Sequence, residues 1–251
     1  MIPKIIHQTW RYKNSKNDCF YPCVESVKNQ HPEYKYCFYN DAQSAQIVAD
    51  DFPDFLGVYD SMSPVEKADL FRYLIVYKHG GIYLDIDCYC VNSFNKLIEN
   101  AEFVAGYEQG WVHDGLLRYT QWAFASKAGH PILLEAAQRC KQNHLKKPKM
   151  WTLEKTGPIM WTHLINKFRM EEHDLKLGGQ SWFGSRIYGV NAKNTVPSNE
   201  RRNIIKSINK KFVKEKEIYV IHLFYGSWHS SRKTNMQAGL EVRAIKHMLL
   251  S

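Results

Sequence analysis

The spacing of apolar and polar residues changes period several times along the chain, and each change marks an element. Residues 3–9 and 35–39 are short runs rich in Ile, Tyr and Phe, and they read as strands. From Pro64 to His79 apolar side chains recur at helical spacing: Val65, Ala68, Leu70 or Phe71, Leu74, Ile75 and Val76. Ser63 with Glu66 three residues on is a capping box, and Pro64 takes the first helical position. Gly80 stands where a left-handed C-terminal cap belongs. After Gly81 the run 82–85 is short and apolar until its last residue, as expected of a strand covered on both faces. Further strands are predicted at 103–107, 121–125 and 218–222. Helices are predicted at 41–50 (capped by Asp41), 131–144, 156–170 and 236–250. Strands alternating with helices predict a single α/β domain over residues 1–251, its mainly parallel sheet sandwiched by helices. The amphipathic helix at 236–251 closes it.

The chemistry gathers at the end of the strand that follows the long helix. Asp85 and Asp87 fall at its C-terminal tip, where open α/β sheets bind ligands. Two carboxylates one residue apart suit a hard divalent cation that also holds phosphate oxygens. On the preceding helix Glu66, Asp69 and Arg72 share one side, at i, i+3 and i+6. Isolated, such a pair is an ordinary surface contact; followed at once by the aspartate-tipped strand, it is a candidate binding edge.

Composition narrows the class. With 44% hydrophobic residues and 14% aromatics in 251 residues, the chain can bury a large core. No run approaches the ~20 apolar residues that span a bilayer, and the start lacks a signal-peptide core, so the expectation is a cytoplasmic protein. The six cysteines form no paired zinc knuckles; Cys88 and Cys90 alternate along a strand and read as packing residues. A net charge of +9, much of it in 193–216, suits a phosphorylated substrate or anionic headgroups. No nucleic-acid motif accompanies it, so nucleic acid is not an expected partner.

Four segments, I-P-K-I-I-H-Q-T-W, A-D-L-F-R-Y…G-G-I-Y-L-D-I-D, T-G-P and I-H-L-F-Y-G-S-W, spread in order over residues 2–228, resemble glycosyltransferase family 32. The resemblance implies a GT-A fold, a Rossmann-like domain that binds a nucleotide-sugar through a divalent metal, Mn2+ in most cases and Mg2+ as the alternative. By position, Trp10 would stack on the nucleotide base, Asp69 and Arg72 would hold the donor sugar, and Tyr83 would lie against the nucleotide. Asp85 would contact the ribose and the metal, Asp87 and His222 would ligate the metal, and Ser227 and Trp228 would reach the diphosphate. The family retains anomeric configuration, so the implied reaction moves a hexose or N-acetylhexosamine with retention, with UDP-sugars favoured over GDP-mannose. The implied acceptor is a glycan or lipid-linked oligosaccharide in surface polysaccharide assembly. The basic segment and the terminal helix are expected to make peripheral membrane contact at the inner face.

Two other classes compete. A haloacid-dehalogenase-like phosphatase also places D-x-D after a strand, but Tyr89 stands where a Thr or Val normally follows the second aspartate. A non-catalytic nucleotide-sugar-binding protein would share the site and release no sugar.

Overall fold

The computed structural model describes residues 1–12, 20–113, 115–146, 149–179, 182–184 and 218–222. In chain order the elements are β1 (Ile5–Thr9), α1 (Tyr21–Gln30), β2 (Lys35–Tyr39), α2 (Asp41–Asp51), α3 (Pro53–Ser61), α4 (Pro64–His79) and β3 (Gly81–Leu84). There follow β4 (Cys88–Cys90), α5 (Asn95–Ile98), β5 (Phe103–His113), β6 (Leu116–Ser126), α6 (Pro131–Lys146), α7 (Thr152–Lys155), α8 (Pro158–Met170), β7 (Lys176–Gly178), β8 (Phe183–Gly184) and β9 (Val220–His222). The main sheet has the order β2-β1-β3-β6-β5-β7, and β4, β9 and β8 form a second, smaller one. In the main sheet β2, β1 and β3 run parallel, β6 is antiparallel to both β3 and β5, and β7 rejoins parallel to β5. It is thus mostly parallel and flanked by helices, with an antiparallel hairpin of β5 and β6 set into it.

Most predicted elements are present, with telling differences. The 103–107 and 121–125 strands are parts of a longer hairpin, β5 and β6, whose strands run well past the apolar stretches read from sequence. The cap of α2 is Asn40, which accepts from the Gln43 amide at 2.8 Å while the Gln43 side chain accepts from the Asn40 amide at 3.0 Å; Asp41 is the first helical residue. The polar edge of α4 is not at the surface. Glu66, Asp69 and Arg72 are all buried, because α4 lies between the sheet on one side and α6 on the other. That burial turns an ordinary i, i+3 pair into a structural one.

The turn from α4 to β3 needs its glycines. Gly80 and Gly81 have φ of 64° and 106°, values that L side chains rarely adopt. A Cβ on Gly81 would stand 2.5 Å from the Ile5 carbonyl oxygen. The close approach sets β3 beside β1, in register Ile6 to Ile82 and His7 to Tyr83. His7 is a core histidine: its ring nitrogens meet the Tyr39 hydroxyl at 3.0 Å and the Gly80 carbonyl at 2.9 Å, and burial lowers its pKa to about 4.

Two apolar cores sandwich the main sheet. One lies under α4, α6 and α8, with Leu70, Leu74, Phe124 and Trp161 fully buried. The other lies on the opposite face, with Ile6, Ile82, Leu84, Val104 and Phe94. β3 is buried along its whole length. A strand clamped this way delivers the residues after it to a fixed point.

Candidate active site

The tight turn after β3 positions the two aspartates. The Asp85 amide donates to the Trp122 carbonyl at 2.9 Å, the Cys88 amide donates to the Asp85 carbonyl at 3.1 Å, and Gln8 Nε2 donates to that same carbonyl at 3.1 Å. With its backbone held from β1 and β6, the Asp85 carboxylate is aimed by two further groups. The Tyr83 hydroxyl donates to Oδ1 at 3.0 Å, and Arg72 Nη2 stands 3.4 Å from the same oxygen.

Arg72 is the hub of this half of the site. Its Nη2 pairs with Asp69 Oδ1 at 3.0 Å, its Nη1 donates to the Gln121 carbonyl at 3.1 Å, and its guanidinium lies 4.8 Å from the centre of the Tyr83 ring. Asp69 accepts a second bond, from the Thr156 hydroxyl at 2.7 Å. Gln121 Nε2 donates to the Thr156 carbonyl at 2.8 Å and to the Tyr73 hydroxyl at 2.7 Å. Burial pushes the Asp69 carboxyl up to about 7, against the pull of Arg72 and Thr156 toward the charged form. Burial works against the Arg72 charge too, but Asp85, Tyr83 and Asp69 outweigh it and hold the guanidinium protonated.

The second half lies across Asp85. His222, delivered by β9 through its pairing with Cys88 of β4, places Nε2 at 3.1 Å from Asp87 Oδ1 and 3.9 Å from Asp85 Oδ2. The imidazole stacks on Trp122 at 4.5 Å between centroids and 11° between planes. Burial opposes its protonation, yet Asp87, Asp85 and Glu108 outweigh that and raise its pKa. Two carboxylates from the tip of β3 therefore face one imidazole from β9, 150 positions beyond Arg72 in the chain but adjacent in space. The donor set is oxygen-rich with one nitrogen, which fits Mn2+ or Mg2+ better than zinc. The tightest group of possible ligand atoms among the described residues is Asp87, His222 and Cys88 Sγ, all within 4.8 Å of one another, with Asp85 beside it. Cys88 is fully buried, and burial holds its thiol well above the ordinary range, so it is a packing group there, as the alternating pattern implied.

Trp10 follows β1 and joins the mouth of the site from the side. It packs with Phe20, Val24 and Ile86, the residue between the aspartates, edge-on to Phe20 at 5.1 Å. Its indole Nε1 is buried and has no hydrogen-bond partner among the described residues. Ser227 and Trp228, and the 193–216 and 236–251 segments, lie outside the described residues. Thus the structure brings together Trp10, Asp69, Arg72, Tyr83, Asp85, Asp87 and His222.

Gln121, Thr156 and Trp122 escaped the sequence reading as site residues. Thr156 had a signal, its place in T-G-P, but nothing linear connects it to Asp69. Gln121 and Trp122 sit inside an apolar strand, where a polar side chain is the only cue.

A family model described as a glycosyltransferase sugar-binding region containing a DXD motif matches residues 18–104. Inositol phosphoceramide mannosyltransferase 3 of Schizosaccharomyces pombe is 30% identical over 171 residues, 67% of this chain and 46% of that protein. The initiation-specific alpha-1,6-mannosyltransferase of the same yeast is 28% identical over 254 residues, 90% of this chain and 64% of that protein. The chain therefore spans about half to two thirds of the length of these relatives. In architecture it is similar to the apo-form glycosyltransferase GlyE of Streptococcus pneumoniae TIGR4, with a TM-score of 0.52 at 9% identity, covering 98% of this chain and 63% of that one. The motifs, the fold and these matches agree and leave the dehalogenase-like alternative without support: the chain has a GT-A fold and belongs to the DXD-motif glycosyltransferases of family 32.

Proposed function

We infer that the protein transfers a sugar from a nucleoside-diphosphate donor to a glycan or lipid-linked acceptor, with a divalent cation at Asp85, Asp87 and His222. One observation carries this reading: a hydrogen-bonded Asp69–Arg72–Asp85 lattice abuts Asp87 and His222, with Asp85 shared between them. When bound, the cation would supply Lewis acidity toward the departing diphosphate. The chain supplies the rest. Arg72, fixed by Asp69 and the Gln121 carbonyl, keeps a planar donor fork beside the site, and Asp69 accepts from a sugar hydroxyl. Tyr83 aims the Asp85 carboxylate, and Trp10 offers an indole face to the base. The described side chains around the aspartates include no unengaged carboxylate placed as a nucleophile, in keeping with front-face substitution and retention.

Mannose is the donor sugar we propose, because the named relatives are mannosyltransferases; their names support GDP-mannose over the UDP-sugars that the sequence reading favoured. The names of several relatives also specify a sphingolipid acceptor, inositol phosphoceramide, which supports an acceptor with a membrane-borne portion. The deciding experiment is a panel of GDP- and UDP-sugars with Mn2+, Mg2+ or chelator, scored by release of nucleoside diphosphate, with Asp87→Asn as control. Cation-dependent turnover of GDP-mannose that Asp87→Asn abolishes supports the whole reading. Turnover of a UDP-sugar instead moves the donor assignment. Binding of a donor without any turnover, acceptors included, favours the non-catalytic alternative.

A further inference from the structure

The loop joining α6 to α7 shows two features that the fold does not use. Leu145 and Trp151 are 63% and 55% exposed, and both are large apolar side chains. Between Glu135 and Glu154 the sequence contains Arg139, Lys141, Lys146, Lys147 and Lys149 and no acidic residue. Exposed apolar side chains scattered singly need no explanation. These two flank one short loop, and Met150 beside them lines a groove of about 580 Å3 in which Ile159, Met160 and Leu164 alternate with Arg139, His163 and Lys167.

The loop is anchored at both ends. At its start His144 lies 3.8 Å from Glu66 Oε1 and 3.0 Å from the Ser61 hydroxyl. At its end Lys155 Nζ pairs with the same Glu66 oxygen at 2.8 Å, and the Lys155 amide donates to the Trp151 carbonyl at 2.9 Å. Glu66 itself caps α4 through the Ser63 amide at 2.9 Å. An anchor on the first turn of α4 places the loop one helical turn from Asp69. The direction of the chain agrees. β6 ends with Ser126 opposite Gly81, the start of β3, and α6 then runs back for 16 residues, about 24 Å at 1.5 Å per residue. Its last turn meets the first turn of α4, where His144 faces Glu66.

We propose that Leu145, Met150 and Trp151, ringed by Lys146 and Lys149, form a docking surface for an anionic lipid bilayer that sets the mouth of the site against the membrane. Tryptophan belongs at the interface between headgroups and acyl chains, where its ring is half apolar and half polar. Lysine adds attraction to anionic headgroups, roughly fivefold in affinity per residue near the surface. A soluble acidic partner would use the lysines and leave the apolar tips in water. A purely apolar partner would strand the cations. A charged lipid surface satisfies both.

The test is co-sedimentation of the purified full chain with phosphatidylcholine vesicles, with and without phosphatidylglycerol, at low and high salt. Expected is binding to the anionic vesicles that weakens with salt. Leu145→Ser with Trp151→Ser should reduce it at least about tenfold, and Lys146→Glu with Lys149→Glu should remove the preference for anionic lipid. These positions are on the surface, so the variants keep the thermal midpoint of the wild type. Failure of the wild type to bind, or undiminished binding by the Leu145/Trp151 variant, overturns the proposal. In the latter case truncation of 236–251 shows whether the C-terminal segment carries the binding. Wild-type self-association that the same variant abolishes, without vesicle binding, would reassign the surface to a second copy of the chain. Vesicle binding needs neither donor nor cation, so its failure and the failure of the transferase reading are separate results.

Discussion

The two halves of the site handle charge in opposite ways. Around Arg72 the charges are met by partners within the protein: Asp69 and Asp85 face one guanidinium, and Thr156, Tyr83 and the Gln121 carbonyl add hydrogen bonds. Around Asp87 two carboxylates meet one imidazole. Asp87 and Asp85 lie 3.1 and 3.9 Å from His222 Nε2, and the two carboxylates raise the pKa of that imidazole. A buried carboxylate is costly unless it is paired. The first half is therefore a scaffold that holds its shape unaided, and the second is a receptor whose stability depends on what it binds. Both use the same aspartate, Asp85, as their boundary.

The largest expected effect separates the two roles by activity. Asp87→Asn keeps the shape of the side chain and removes one charge from the cluster. It should lower turnover on the order of a thousandfold or more, in line with losing a group that acts on the leaving diphosphate. Its fold should be intact in chelator, because the side chain keeps its shape and the lattice around Arg72 is untouched. A marked loss of stability in chelator would show that Asp87 is part of the scaffold and would break the comparison.

Arg72→Met should do the reverse. It leaves Asp69 and Asp85 facing each other without their cation, and breaking one partner of a buried pair costs about 3–5 kcal/mol. Urea unfolding would show this as a lower midpoint with an unchanged slope. Activity should fall as well, but stabilisation by cation should survive, because Asp87 and His222 are untouched. In the wild type, Mn2+ at a hundred times its dissociation constant should add about 2.7 kcal/mol. Thermal melts with and without the ion read this directly, and Asp87→Asn should erase the increment. An Arg72 variant that also loses it would mean that the two halves are one unit.

How much of this could be read from the sequence follows the same division. The β3 strand, its glycine turn, the capped α4 and the aspartate pair are local, each announced by residues within a few positions. Asp69 and Arg72 were legible as a pair, but their burial was not, since it depends on α6 lying over them. The small sheet was half legible. A late strand ending at His222 was expected, whereas its pairing with β4 joins residues 130 to 134 positions apart, which periodicity does not encode. α1 and α3 were missed because Phe20 and Phe52 offer no polar cap. In the second half, metal ligation by His222 came from resemblance alone.

The smallest effect is the most discriminating, because it concerns a residue that reaches the site only through another. Thr156→Val removes the hydroxyl that donates to Asp69 and keeps the shape, so Asp69 loses one of two partners. A hydrogen bond to a charged group contributes about 1.5–3 kcal/mol, and Gln121 still holds the Thr156 carbonyl, so we expect a loss near the low end, about 1.5 kcal/mol. If Thr156 only packs, that is the whole effect, and the remaining folded enzyme has unchanged constants. If it positions Asp69 for the donor sugar, KM for the donor rises several-fold at nearly constant kcat, and Thr156→Ser restores it. The carboxyl, already raised by burial, is the group most sensitive to losing a donor. A lowered kcat at unchanged KM would place Thr156 with the reacting atoms instead, and the boundary between scaffold and receptor would then run through Asp69 as well as Asp85.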